Sequence, residues 1–247
     1  MISKIPFPRV VAFRFAVFRT FVAISVCLVG NGCSKGITRA TAATVLFVKG
    51  DVVFGQSDRS QFQHVTSRSK IRGGDVVRTL DGAAINLALV PGAFVQVSGN
   101  SEIKIDELSL TKDGNDTAGG MLDRRARVRL SRGRVNILFS RSDTSGSHFS
   151  LATNQTMISS DSDCLFSVWT DGSTTRATCG RGEVSALGDA QTPVRIATGY
   201  FHQWPAAAGE PTAAAAEGDA QMDILASLEA ERELLDQSAG WQNRRVF

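Results

Sequence analysis

The sequence predicts an all-β fold, a β-sandwich or solenoid-like β-roll of many short strands, followed by a linker and one C-terminal helix. Three observations carry that expectation. Between Thr44 and Trp204, apolar and polar residues alternate with a period of two in segment after segment. Turn-forming pairs separate those segments: Asp81-Gly82, Pro91-Gly92, Gly99-Asn100, Asp113-Gly114 and Asp171-Gly172. A helical stripe is missing from this stretch and is present only near the C-terminus, over residues 221–237.

Residues 1–32 read as a targeting segment. Lys4, Arg9, Arg14 and Arg19 precede the apolar run from Phe21 to Val29, the pattern of a cleaved secretory signal. A membrane-spanning helix needs about 20 apolar residues, and Arg14 and Arg19 interrupt any such window. The run ends in Gly30-Asn31-Gly32-Cys33-Ser34. This resembles the lipobox of bacterial lipoproteins, in which the Cys is lipidated and becomes the new N-terminus. Gly30 stands where that family usually has Leu, and Gly30 and Gly32 also fit ordinary signal cleavage. A Cys at this point is otherwise unexplained, which favours Cys33 as the lipidation site.

The leader also sets the charge balance. The whole chain has a formal net charge of +3, but the leader holds four bases and no acid, leaving 23 bases against 24 acids in the remainder. The basic isoelectric point is therefore no argument for nucleic acid, and no nucleic-acid partner is expected. A hydrophobic fraction of 43% excludes a chain disordered throughout, and the lack of long apolar runs excludes a polytopic membrane protein.

Residues 33–43 are small and polar, as in a tether. Residues 44–204 form the β-domain, and about 160 residues suffice to enclose a core. Its clearest strands are Val45 to Val48, Ile85-x-Leu87-x-Leu89, Val95-x-Val97, Ile103-x-Ile105, Val128-x-Leu130 and Val135-x-Ile137. Gly-charged-Val recurs at Gly50, Gly74, Gly133 and Gly182. Each glycine is expected to supply the positive φ of a corner, and the valine two places on to begin a buried face. The spacings are irregular, so a perfect solenoid is not expected. Residues 205–220 are a Pro/Ala/Gly linker. Residues 221–237 form the helix, with Ile224, Leu225, Leu228 and Leu235 on one face that either docks on the domain or meets a partner.

Cys164 and Cys179 are expected to form a disulfide. Asp171-Gly172 between β-formers is a two-residue hairpin signal, in which facing residues have numbers summing to 343. Cys164 and Cys179 satisfy that sum and share a face with Phe166 and Val168, taken as the core side. A pair of buried free thiols is the competing reading.

The region from Val45 to Trp204 resembles the FecR-type domain of bacterial envelope proteins. The most specific stretch is Gly74-Asp75-Val76-Val77-Arg78-Thr79, then Ala84 to Leu89, Pro91-Gly92-Ala93-x-Val95-x-Val97 and Ser101-x-Ile103-x-Ile105. It is similar to the family's Gly-Asp-x-x-x-Thr block, its following strand and its Asp-Gly-Ser turn, with Pro91 in place of the Asp. Leu130-x-x-Gly133-x-Val135, Phe149-x-Leu151-x-Thr153, Gly182-x-Val184 and Val194-x-Ile196-x-x-Gly199 follow in the family's order. The stretch Thr153-Asn154 and Asp161 to Cys164 departs from the family's Thr-Pro and Arg-Gly-Thr. The resemblance implies a non-catalytic, all-β periplasmic domain. The family's founding members add a cytoplasmic anti-sigma region and a membrane helix, and read a TonB-dependent transporter. With 32 residues before Cys33, the cytoplasmic region is not expected here, and signalling to a sigma factor is not carried over.

No residue pattern speaks for an enzyme, a cofactor or a metal. His64, His148 and His202 lie in separate segments without ligand spacing, and nucleophile elbows, Walker loops and dinucleotide fingerprints are missing. The loop with Asp113, Asn115 and Asp116 lacks the glycine placement and final Glu of a calcium loop. The run from Arg124 to Arg134 holds six arginines. In a strand, Arg125, Arg127 and Arg129 share one face and Ala126, Val128 and Leu130 the other. That arginine face is either a patch for an anionic partner or a solvated outer face balanced by neighbours such as Asp123.

The expected protein is thus an envelope lipoprotein acting as a binding or sensing module, with an envelope protein or polysaccharide as partner and a lipid anchor as its membrane contact. Its expected place is the periplasmic face of the cell envelope. A scaffold holding cell-wall or surface polysaccharide is the second reading, and an envelope hydrolase a weaker third.

Overall fold

The computed structural model describes residues 36–58, 61–112, 121–141, 146–188, 192–205 and 209–243, with helix side chains described through residue 239. The leader, Cys33 and the 113–120 loop with Asp113, Asn115 and Asp116 lie outside the described residues. Gly36–Phe247 forms a compact unit of its own. It begins with β1 (Ile37–Ala40), β2 (Ala42–Lys49), β3 (Val52–Gln56), β4 (Gln63–His64), β5 (Lys70–Arg72) and β6 (Asp75–Thr79). Next come β7 (Ala84–Val90), β8 (Ala93–Val97), β9 (Glu102–Lys112), β10 (Met121–Phe139), β11 (Gly146–Ala152) and β12 (Thr156–Ser160). The last strands are β13 (Cys164–Thr170), β14 (Thr175–Arg181), β15 (Glu183–Gly188), β16 (Val194–Ala197), β17 (Tyr200–Trp204) and β18 (Thr212–Ala213). One turn of 3-10 helix, Ala214–Ala216, leads into α1 (Gly218–Asn243).

The strands form two sheets that share β10. Sheet A runs β4-β3-β6-β9-β10-β11-β12-β15-β16, with β1 also on β9. Sheet B runs β5-β2-β7-β8-β10-β13-β14-β17-β18. Most neighbours are antiparallel, and β10 with β11 is parallel.

β10 can serve both sheets because Gly133 breaks it into two phases. Up to Leu130 the even-numbered residues Ala126, Val128 and Leu130 join the main core; from Val135 the odd-numbered Val135, Ile137 and Phe139 do, while Asn136 and Leu138 are buried on the opposite face. Gly133 sits at the change with φ +92°, where a Cβ would lie 2.5 Å from Ser101 Cα. Gly50, Gly74 and Gly182 also have positive φ, and Val52, Val76, Val135 and Val184 are buried, so the repeated Gly-charged-Val is a corner followed by a core residue, as the sequence suggests.

Facing residues of the two sheets make one core. Phe149 of sheet A stands against Phe139 and Phe166 of sheet B, with ring centroids 6.2 and 6.0 Å apart. The outer face of sheet B is polar instead, and α1 lies across it. Leu234 packs on Leu138 and Leu165, while Ala220 and Ile224 pack near Phe201 and Ala214. Asp223, fully buried, takes Arg134 Nη2 at 2.7 Å and Arg176 Nε at 2.8 Å. Gln96 donates to Glu233 and Asn86 to Gln237, and Arg181 pairs with Glu231.

Several expectations change. The tether region contributes β1 and the start of β2, the linker contributes β18 and the 3-10 turn, and the helix extends beyond 221–237 at both ends. The helix docks, but not by the face expected: Ile224 and Leu234 pack, whereas Leu225, Leu228 and Leu235 face outward. The cysteine hairpin also needs correction. Its loop has four residues, Asp171 to Thr174, because the Asp171 carboxylate accepts the N–H groups of Ser173 and Thr174 and Thr170 Oγ1 accepts that of Gly172. Facing residues then sum to 345, Cys179 faces Phe166, and a bulge follows at Leu165. Cys164 and Cys179 are buried free thiols on the core side, not a directly opposed disulfide pair. Burial pushes the Cys164 thiol up to about 12 and that of Cys179 up to about 11.

Candidate functional site

The outer face of sheet A carries the arginine row. β10 has β9 on one side and β11 on the other, so its alternating residues project from an interior strand, not a guarded edge. Arg125, Arg127 and Arg129 are exposed and their intervening neighbours buried, as alternation predicts. Each arginine leans on an acid: Arg125 Nε lies 2.8 Å from Asp123, Arg127 3.8 Å from Glu107 and Arg129 3.2 Å from Asp106. Lys104 adds a longer contact to Asp106 at 3.9 Å, and Arg78 pairs with Glu102 at 2.8 Å on the same face. All three row arginines keep more than half of their side-chain surface in water, so their charge is available beyond these pairs.

Asp106 and Glu107 connect the row to an open cleft of about 1000 Å³. The chain crosses there from β1 in sheet A to β2 in sheet B, held by Thr41 N–H donating to the Leu108 carbonyl. The wall opposite is β5 and the turn before it, with Arg68, Lys70 and Arg72 exposed. None of these three bases has an ion pair among the described residues, and hydroxyls of Thr38, Thr41, Thr44, Ser67, Ser69 and Ser109 fill the space between. Free cations beside a hydroxyl-lined cleft suit an anionic, hydroxyl-bearing ligand held by many weak contacts. The two acids present are tied to Arg127 and Arg129, and no histidine or cysteine lines the cleft.

Row and cleft bring together residues that the sequence reading left apart. Arg68, Lys70 and Arg72 alternate around buried Ile71, the same period-two signal as in β10, and could have been found by it. The three histidines stay separate. His64 and His148 are exposed, and His202 is buried against Trp204 with ring centroids 4.6 Å apart, its pKa lowered by burial. Among the described residues no group of three or more His, Cys, Asp and Glu could hold a metal.

The Gly74-to-Thr79 block is structural. Asp75 accepts the Arg72 N–H at 2.8 Å, and buried Thr79 donates to the Ser98 carbonyl and accepts the Ser101 N–H. Ser101 in turn accepts the Arg134 N–H at the Gly133 corner, so the block fixes the turn that aims β9 and β10.

Residues 75–185 match the family described as FecR protein. No curated protein matches the chain. Two crystal structures of a candidate anti-sigma factor from Parabacteroides distasonis ATCC 8503, at 1.65 and 2.50 Å resolution, are similar to it at 13% and 11% identity, with TM-scores of 0.39 and 0.38. Each alignment covers 56% of this chain and 57% of the other, so this chain spans little more than half the length of those relatives.

Proposed function

We propose, from the premise that residues 75–185 are a FecR-type region, that this chain is a non-catalytic binding and sensing module of the bacterial envelope. The FecR match is the observation that carries this reading. Proteins of that family are envelope-associated, and among the described residues no helix is long and apolar enough to cross a membrane. The reading includes a lipid anchor at Cys33 and a domain on the periplasmic side. The surface offered to the partner is the arginine row together with Arg68, Lys70 and Arg72 around the cleft. Its ligand is an anionic envelope component, either an acidic protein surface or a polysaccharide.

The cleft favours a second reading beside it, a scaffold that holds an acidic cell-wall or surface polysaccharide, because its lining is chiefly hydroxyls and bases. One experiment serves both. The chain from Gly36 is immobilised and offered the solubilised envelope fraction and, separately, its polysaccharides. Salt-sensitive capture is expected, and it should be lost when Arg68, Lys70 and Arg72 are changed to Gln together with Arg125, Arg127 and Arg129. Capture of protein supports sensing, and capture of polysaccharide alone supports the scaffold. Equal capture by the variant, or conversion of an envelope polymer into smaller products, overturns the proposal. The anchor is tested by Cys33→Ser, which should remove acyl labelling and shift the protein to the soluble fraction.

A further inference from the structure

α1 meets the domain with its small and polar side. Ala220, Asp223, Ser227, Ala230, Leu234 and Ser238 are buried, in steps of three and four that trace one stripe. Apart from Leu234 and Ile224, its large apolar residues stand on the other side: Met222 is 60% exposed, Leu225 55%, Leu228 39% and Leu235 48%. A helix of a soluble domain ordinarily buries its leucines, and α1 leaves three of its four exposed while it buries Asp223. Leu225, Leu228, Arg232 and Leu235 follow 3-4-3 spacing, so they form one continuous ridge. Glu229 borders the ridge, and neither Glu229 nor Arg232 has an ion-pair partner among the described residues.

We propose that this ridge is a self-association surface, through which two copies of the chain pair by antiparallel packing of α1. The argument for a second copy is self-complementarity, which a twofold interface requires. In an antiparallel pair whose facing residue numbers sum to 460, Leu225 meets Leu235 of the second copy and Leu235 meets Leu225. Leu228 meets Arg232, whose aliphatic stem covers it while the guanidinium reaches Glu229 one position away. The twofold repeats that contact, so both ridge charges are paired in both copies. A parallel pair would instead set Arg232 against Arg232. A lipid surface is the poorer occupant, because α1 carries six acids against one base and an anionic leaflet repels it. The inference stands independently of the envelope reading.

The chain from Gly36 contains all three apolar clusters and forms one compact unit, so it is the species to measure. Sedimentation velocity over a wide concentration series should show a monomer–dimer equilibrium. Leu225→Lys with Leu235→Lys should weaken the dimer about a hundredfold or more, since two buried leucines per copy are lost. Thermal unfolding of the monomer should not change, because both side chains are exposed there. Glu229→Arg and Arg232→Glu should each weaken the dimer, and the double reversal should restore it, an outcome peculiar to a reciprocal pair. A wild type monomeric at every concentration overturns the proposal, as does a dimer that survives the leucine changes or a double reversal that fails to restore. Leucine-dependent flotation of a monomeric wild type with phosphatidylglycerol vesicles would also overturn it and assign the ridge to lipid.

Discussion

The two faces of sheet B are covered by different physics. Toward sheet A, Ile85, Leu87, Val95, Val97, Ile137 and Phe166 are sealed from water and meet only other apolar groups. Toward α1, Asn86, Gln96, Arg134 and Arg176 meet Gln237, Glu233 and Asp223, and a small apolar contact of Leu234 with Leu138 and Leu165 lies among them. The apolar interface gains from every bit of area removed from water and needs no partner-by-partner matching. The polar one must pair each group it buries, and it does so incompletely: Asn86 Oδ1, Asn136 Oδ1 and Ser167 Oγ are buried without a hydrogen bond among the described residues. The sandwich is therefore expected to be the obligate unit, and α1 a layer that can come away from it first.

The largest effect should come from the apolar side. Phe166→Ala removes the ring that stacks edge-on against Phe149, and it should destabilise the whole domain by about 3–5 kcal/mol in denaturant unfolding. Cys164 and Cys179 give a second readout, because burial keeps both thiols protonated and enclosed. They should alkylate only when the sheets part, so their modification should accelerate in step with the loss of stability. Unfolded, unreduced protein should show both thiols free. On the polar side, Asp223→Ala removes the buried carboxylate that Arg134 and Arg176 share and leaves Arg176 only its longer contacts to Asp219 and Glu217, at a cost of about 3 kcal/mol. That loss should fall on α1 alone. Helicity should melt in a separate, earlier transition while the cysteines stay protected. If helix and thiols instead respond together, the two interfaces are one cooperative structure and the contrast fails.

The same contrast explains what was legible in the sequence. Apolar alternation announces itself locally, so the strands around Val95, Ile103, Val128 and Val135 were readable, as were the four glycine corners. The helix was readable as a helix, but its docking face was not. Reading leucines as the buried side assumes an apolar receptor, and the receptor here is chiefly Arg134 and Arg176, 41 or more residues away in sequence from the acids they hold. The cysteine register failed for a local reason. Asp171-Gly172 by itself predicts a two-residue loop, while the Asp171 carboxylate and the Thr170 hydroxyl close a four-residue one. The arginine row was placed correctly from parity, but its acids Asp106 and Glu107 come from β9, which only the folded sheet brings alongside.

A smaller effect follows from His202, a titratable group on the core side near the end of sheet B, facing Ala177 across the strands. Burial lowers its pKa, so the folded state holds it neutral where the unfolded chain would bind a proton. Its folded pKa lies below the unfolded one. Full stability is therefore present above about pH 6.5, the unfolded value, and declines as pH falls toward the folded one. His202→Gln should flatten that part of the stability profile, as measured by unfolding midpoints across mildly acidic pH. An unchanged slope would show that the imidazole is hydrated and that the core seal is open at this end of the sheet.

The smallest effect is expected on the outer face of sheet A, which no other layer covers among the described residues. Arg125, Arg127 and Arg129 each touch one acid, but their side chains remain 55%, 57% and 51% exposed, so water screens what the pairs gain. Replacing all three with Gln keeps the aliphatic stems and hydrogen-bonding capacity and removes only charge. Stability should move by no more than about 0.5 kcal/mol per site. It should not become more salt-dependent, because the cations that give the pairs their salt sensitivity are gone. At the rim of the cleft Glu107 would lose Arg127, and Asp106 would keep only its longer contact to Lys104, so local charge there turns more negative and capture of an anionic ligand should fall even though the fold persists. Should the triple variant unfold instead, the row would be holding β9 to β10 as α1 is held to sheet B, and the outer face of sheet A would have to be counted among the polar interfaces on which the fold depends.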